Sequence, residues 1–160
     1  MGRAYFFIRV SSRAFAVAFW VGFGLCYCES QLPPPIENLR ERLTLGVSYF
    51  NREYFFEAHD AWEELWMEAR EATSRDLFHG LVNLATGFYH YRMHNFSGMQ
   101  SQLQKGRAKL ANLPPRCHGI ELENLLRQVE AFIGITSPRE DAVPLPQIVF
   151  HPEELLEPAR

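Results

Sequence analysis

An imidazole and a carboxylate stand four residues apart at His59 and Glu63, within the run Phe-Asn-Arg-Glu-Tyr-Phe-Phe-Glu-Ala-His-Asp-Ala-Trp-Glu-Glu-Leu-Trp from Phe50 to Trp66. On a helix this spacing puts both side chains on one face, where they form a hydrogen-bonded pair or ligate one metal ion. At about 100° per residue, Phe55, Ala58, His59, Trp62, Leu65, Trp66 and Ala69 share a broad apolar face. Glu57, Asp60, Glu64 and Glu68 fall on the opposite side, as a solvated face requires. Glu63 does not join them. It sits one turn from His59, beside the edge formed by Phe56 and Met67, so acid and imidazole occupy ground where a core helix shows carbon.

A second polar stripe supplies the complement. His79, Asn83, Thr86, His90 and His94 fall within less than a quarter of the circumference of an otherwise apolar helix. If that stripe faces the first, His59, Glu63, His79, Asn83 and His90 converge in the interior, and otherwise they form a solvated edge. Three readings follow. A buried His-Glu pair satisfies its own hydrogen bonds and fixes helix register. Alternatively the residues line a ligand or catalytic pocket comprising His59, Trp62, Glu63, Trp66, His79 and Asn83, with Glu63 as base and His59 as its partner. The third is a metal site from His59, Glu63 and His79, although the doubled Glu-x-x-His motif of di-iron bundles is absent. Trp62 and Trp66 read first as core, and Cys117, next to His118 after Pro114-Pro115, as an incidental thiol.

The elements that position these residues are helical throughout. Ile36, Leu39, Leu43, Val47 and Phe50 recur at spacings of three and four, giving a first helix that ends near Tyr49 to Arg52. The second helix runs from about Glu53 to Arg70. The third starts at a Thr73 or Ser74 cap, with Asp76 in its first turn, and reaches His94; it is apolar around most of its circumference, as a central helix is. A fourth covers about Ser97 to Asn112, and a fifth about Gly119 to Ile133. Asn51 and Asn95 read as turn or cap residues. A similarity at a shift of about 41 residues relates the two halves: Leu43 to Leu84, Gly46 to Gly87, Val47 to Phe88, Phe50 to Tyr91, Phe55 to Phe96 and Trp62 to Leu103. Two helix-turn-helix units plus one helix make a bundle, not a solenoid, which needs about three repeats. The fold expected is therefore all-α, a compact antiparallel bundle of about five helices built from two helix-turn-helix units, occupying residues 36–135.

Composition narrows the function classes. In 160 residues, 47% are hydrophobic, 22% are charged and the net charge is −3, which describes one soluble globular domain. Lys105 and Lys109 are the two lysines, so no basic stripe exists for a nucleic-acid backbone. Residues 1–35 differ from the rest. Arg3, Arg9 and Arg13 precede an apolar run from Ala14 to Cys28, and Gln31 to Pro35 forms a polyproline-type linker. The run reads as an export signal or short anchor, as an organellar transit segment, or as a start codon placed too far upstream. It is not part of the fold. With Cys26 and Cys28 in that leader, the domain holds a single thiol, which favours a reducing compartment. The location expected is the cytoplasm, or export, membrane anchoring or plastid targeting if the leader is genuine. Residues 136–160 form a proline-rich tail, extended, with a helical turn at Glu153 to Leu156.

Phe50-Asn51, Phe56-Glu57-Ala58-His59, Trp62-Glu63-Glu64-Leu65-Trp66, His79-Gly80-Leu81-Val82-Asn83-Leu84-Ala85 and Asn95-Phe96-Ser97-Gly98 together resemble the family catalogued as domain of unknown function 309. The resemblance covers about residues 38 to 113, and its Glu-Ala-His-x-x-Trp-Glu-x-x-Trp run is fairly specific. It implies a small all-helical domain and no particular activity. His79 and Asn83 stand where glutamines are expected, and Glu53 where a turn glycine is common. Exchange of glutamine for histidine at 79 argues against a metal site common to the family and suits a hydrogen-bonding role. Function thus divides between a binding or interaction module for a protein partner or small ligand, with His59 and Glu63 structural, and an enzyme or metal-binding protein with a buried site around them. No reaction or cofactor is assigned.

Overall fold

The computed structural model describes residues 39–137 and 143–155; the leader and the Gln31–Pro35 linker lie outside the described residues. Helices α1 (Leu39–Asn51), α2 (Phe55–Glu68), α3 (Ala72–Arg92) and α4 (Phe96–Leu110) are followed by a hairpin of β1 (Arg116–Cys117) and β2 (Ile120–Glu121), helix α5 (Leu122–Glu130) and a 3-10 turn at Pro152–Glu154. Three residues join each of the first three helices to the next. Loops this short return each helix antiparallel to its predecessor. The result is the expected all-α bundle of five helices, with one small hairpin. No helix among the described residues is long and apolar enough to cross a membrane.

The repeat is realised atom by atom at the helix ends. At the end of α1 the Tyr54 amide donates to the Tyr49 carbonyl and the Glu53 amide to Phe50, and at the end of α3 the Asn95 amide donates to His90 and the His94 amide to Tyr91. Each set is a Schellman closure. Its left-handed residue is Glu53 in the first (φ 66°) and His94 in the second (φ 56°), positions 41 apart. Asn95 then caps α4, its side chain accepting from the Gly98 amide at 2.9 Å. Asn51 does something else. Its amide group donates to the Ile148 carbonyl (2.9 Å) and accepts from the Ile148 amide (2.7 Å), pinning the C-terminal segment to the end of α1.

The helix-to-helix approach is also repeated. Gly46 lies against the indole of Trp62 so closely that a Cβ there would overlap Trp62 Nε1, and a Cβ at Gly87 would stand 2.6 Å from Leu103 Cδ2. Small residues on α1 and α3 thus admit large ones from α2 and α4. Around Trp62 an aromatic cluster closes the core: Phe50 meets Phe55 at 5.2 Å and Phe88 at 5.8 Å between ring centres, and Phe88 meets Phe132 at 5.1 Å, all edge to face. Such pairs contribute about 0.5–1.5 kcal/mol each beyond area burial.

Three features lie beyond what periodicity shows. The cap of α3 is Glu71 instead of Thr73 or Ser74; its carboxylate accepts from both of their amides, at 2.9 and 2.7 Å. Arg116 to Glu121 is a hairpin whose turn residues His118 and Gly119 have φ of 48° and 76°, the signature of a type I′ turn. α5 is correspondingly shorter than expected. The segment after Val143 is held to the body, with Ile148 and Leu155 buried and Phe150 bridged to Ile120.

Gly46→Ala should destabilise the protein by about 1–3 kcal/mol through overpacking, although alanine is the better helix former by about 1 kcal/mol; urea denaturation measures the difference. His94→Gly should stabilise it by about 0.5–1 kcal/mol by removing left-handed strain. Glu53→Gly should gain less, because it also removes the exposed Glu53–Arg92 ion pair at 3.1 Å, worth at most about 1 kcal/mol.

Candidate functional site

α2 and α3 run antiparallel, and the outer seam between them carries most of the predicted residues. α2 brings Phe56, His59, Glu63 and Trp66 to it, within about 80° of helix circumference, and α3 brings His79, Asn83, Thr86 and Tyr89. The seam is a surface, not a core pocket. His59, Glu63, Trp66 and His79 are half-buried, and the concavity over Arg40, Glu41, Thr44, Leu45 and Ser48 lies on α1, away from them.

His59 does not hydrogen-bond to Glu63. Its Nδ1 lies 3.0 Å from Asp60 Oδ1, and its ring stacks on Phe56 at 6.4 Å with 17° between planes. Asp60, expected on the solvated back of the helix, therefore belongs to the seam. Glu63 makes no hydrogen bond or ion pair among the described residues. One ligand atom from each of His59, Asp60 and Glu63 falls within 4.8 Å of the others. Among the described residues that group, without His79, is the one whose spacing suits a metal ion.

His79 meets a different partner. Its ring stacks on the indole of Trp66 at 4.1 Å and 27°. Burial pushes its pKa below the ordinary value, and the nearby positive charge of Lys109 pushes the same way, so the imidazole stacks in neutral form. Asn83, 8% exposed, turns back on its own helix and donates to the His79 carbonyl at 2.9 Å, as Thr86 does to Val82. Trp62 is fully buried on the core face of α2, facing Gly46. Both Trp62 Nε1 and Trp66 Nε1 are buried without a hydrogen-bond partner. His90 lies 3.3 Å from the Asn95 side chain, and His94 is exposed in the turn. The six pocket candidates thus divide. His59, Glu63, Trp66 and His79 share the seam, Trp62 is core, and Asn83 serves its own helix.

Sequence reasoning missed Tyr89 as a seam residue. Its ring lies 6.0 Å from that of Phe56, which is 56% exposed, so an aromatic pair closes one end of the seam as Trp66 and His79 close the other. It also missed a clasp elsewhere. Ser74 Oγ donates to Glu71 Oε2 at 2.7 Å and lies 2.9 Å from His118 Nε2, which binds the start of α3 to the hairpin. With Ser74 and His118 44 positions apart, no local pattern reveals it. Burial pushes the His118 pKa down and the Cys117 thiol up. Cys117 is therefore a protonated thiol and no activated nucleophile.

The clasp generates two pH responses. The hydrogen bonds from Ser74 and Thr73 lower Glu71 from 4.5 to about 2, so its contribution is complete above the ordinary carboxylate value and is lost as pH falls toward 2. Glu71→Gln should flatten that acid limb in denaturation measured from pH 5 downward. His118 is held neutral by burial. The unfolded chain takes up its proton first, near pH 6.5, so stability falls as pH drops through the lowered folded value, and His118→Asn should remove that part of the loss.

Residues 43–102 match the family model described as Domain of unknown function (DUF309). No curated protein matches the chain. The matched residues run from the middle of α1 to the middle of α4, taking in the whole α2–α3 seam and the Gly46–Trp62 contact. Over that span, which holds every candidate site residue, the chain resembles the DUF309 family.

Proposed function

We propose that this protein is a binding module that receives a protein partner along the α2–α3 seam. The observation that carries this reading is the exposed aromatic pair Phe56–Tyr89, with the half-buried Trp66–His79 stack in line with it. Large apolar side chains left in water at one place mark interaction sites on globular proteins, and aromatic residues dominate the energetics of such contacts. The polar residues between the two pairs supply orientation, not a reaction. Glu63 has no hydrogen-bond partner among the described residues, His59 is paired to Asp60, and His79 is engaged by an indole.

A photo-crosslinking amino acid placed at 56 in the full chain should trap a partner in cells, whereas the same group at the exposed Lys105 on α4 should not. Phe56→Ser with Tyr89→Ser should abolish the crosslink from a probe at Met93 and leave the melting temperature nearly unchanged, because exposed side chains contribute little to the core. Crosslinking equal at both positions, or undiminished in the double variant, would remove the reading.

A second reading rests on the spacing of His59, Asp60 and Glu63, three oxygen and nitrogen donors suited to a divalent cation. It predicts stoichiometric metal in tag-free protein purified without chelator, lost in His59→Ala. Elemental analysis that finds no metal in the parent ends it.

A further inference from the structure

Resting on the α2–α3 binding face, we infer that the occupant is a cationic amphipathic helix, with apolar residues at its two ends and Lys or Arg between them. Length comes first. Ten residues separate Phe56 from Trp66 on α2 and His79 from Tyr89 on α3, and the ring pairs are Phe56–Tyr89 and Trp66–His79. At 1.5 Å per residue the two aromatic ends lie about 15 Å apart, three helical turns. A helix laid along the seam places apolar side chains about ten or eleven residues apart on the two ring pairs, the helix-in-groove mode of recognition.

Charge selects the middle. α2 carries Glu57, Asp60, Glu63, Glu64 and Glu68 and no Lys or Arg. Arg42 of α1 pairs with Glu64 and Glu68, at 3.9 and 2.8 Å. That leaves Asp60 and Glu63, the two acids within the seam, without a Lys or Arg partner among the described residues. Across the seam α3 presents His79, Thr86 and His90, with His79 held neutral. Two carboxylates set midway between two apolar ends, with no cation of their own, match a cation on the partner and repel an acid.

The test uses the full chain and two labelled synthetic peptides of about four helical turns, identical in their apolar positions. One carries Lys and Arg between them, the other Glu. Fluorescence anisotropy should show binding of the cationic peptide, weakened by added salt and at least about tenfold by Asp60→Asn with Glu63→Gln, and much weaker binding of the acidic one. Glu63→Lys, which leaves the middle of the seam with no net charge beside Asp60, should abolish the preference, and Asp60→Lys with Glu63→Lys should reverse it. Equal binding of both peptides, or an Asp60→Asn, Glu63→Gln protein that melts like the parent and binds as well, overturns the inference. If neither peptide binds while the probe at position 56 still traps a partner, the cationic assignment fails and the contact face stands. If the probe traps nothing as well, both fail.

Discussion

The close approach of α1 to α2 at Gly46 and Trp62 is the constraint on which the rest of the bundle depends. An indole is too large to pass between two helices unless one of them gives up its side chain at the crossing, and Gly46 does so. Once seated, Trp62 fixes the axial position of α2, and Phe50 packs on it and links it to Phe55 and Phe88. The second unit solves the same problem with Leu103 against Gly87. Close packing makes each solution intolerant of a single methylene.

The surface that the bundle offers outside follows from that registry. With Trp62 turned to α1, Trp66 one turn later lies at the flank of α2, where it reaches over α3 and covers His79. Antiparallel pairing brings the N-terminal turn of α2 beside the last turns of α3, which makes Phe56 and Tyr89 neighbours. A seam with aromatic ends and an acidic middle is therefore a consequence of two antiparallel helices joined by a three-residue loop. Its carboxylates avoid the desolvation cost of deep burial because they stand at the rim.

The C-terminal half acts as a brace. The clasp through Glu71, Ser74 and His118 holds the hairpin to the start of α3. Arg116 joins Glu121 and Glu154 at 3.0 and 2.6 Å. Asn51 and Gln128 hold residues 147 and 148, Gln128 accepting from the Gln147 amide at 2.9 Å. Apart from the local Glu71–Ser74 and Arg116–Glu121 pairs, these contacts join residues about 20 to 100 positions apart, so their cost in chain entropy is recovered only when the bundle is already formed.

The sequence by itself determined the helices, their approximate bounds and their repeat, because apolar periodicity, prolines and the Gly46/Gly87 correspondence are local properties of the chain. It also determined that His59, Glu63 and Trp66 share a helix flank, since spacing alone fixes that. Only the tertiary structure decided what those side chains meet. Four-residue spacing permits His59 to bond to Glu63, but rotamer choice and the ring of Phe56 turn it to Asp60. Trp62 and Trp66 are equally apolar in the sequence, and the position of α1 sends one to the core and leaves the other at the rim. Glu71 as cap, the two-residue hairpin turn and the Ser74–His118 contact were not legible, because each depends on a partner far along the chain or on a backbone angle that no apolar period encodes.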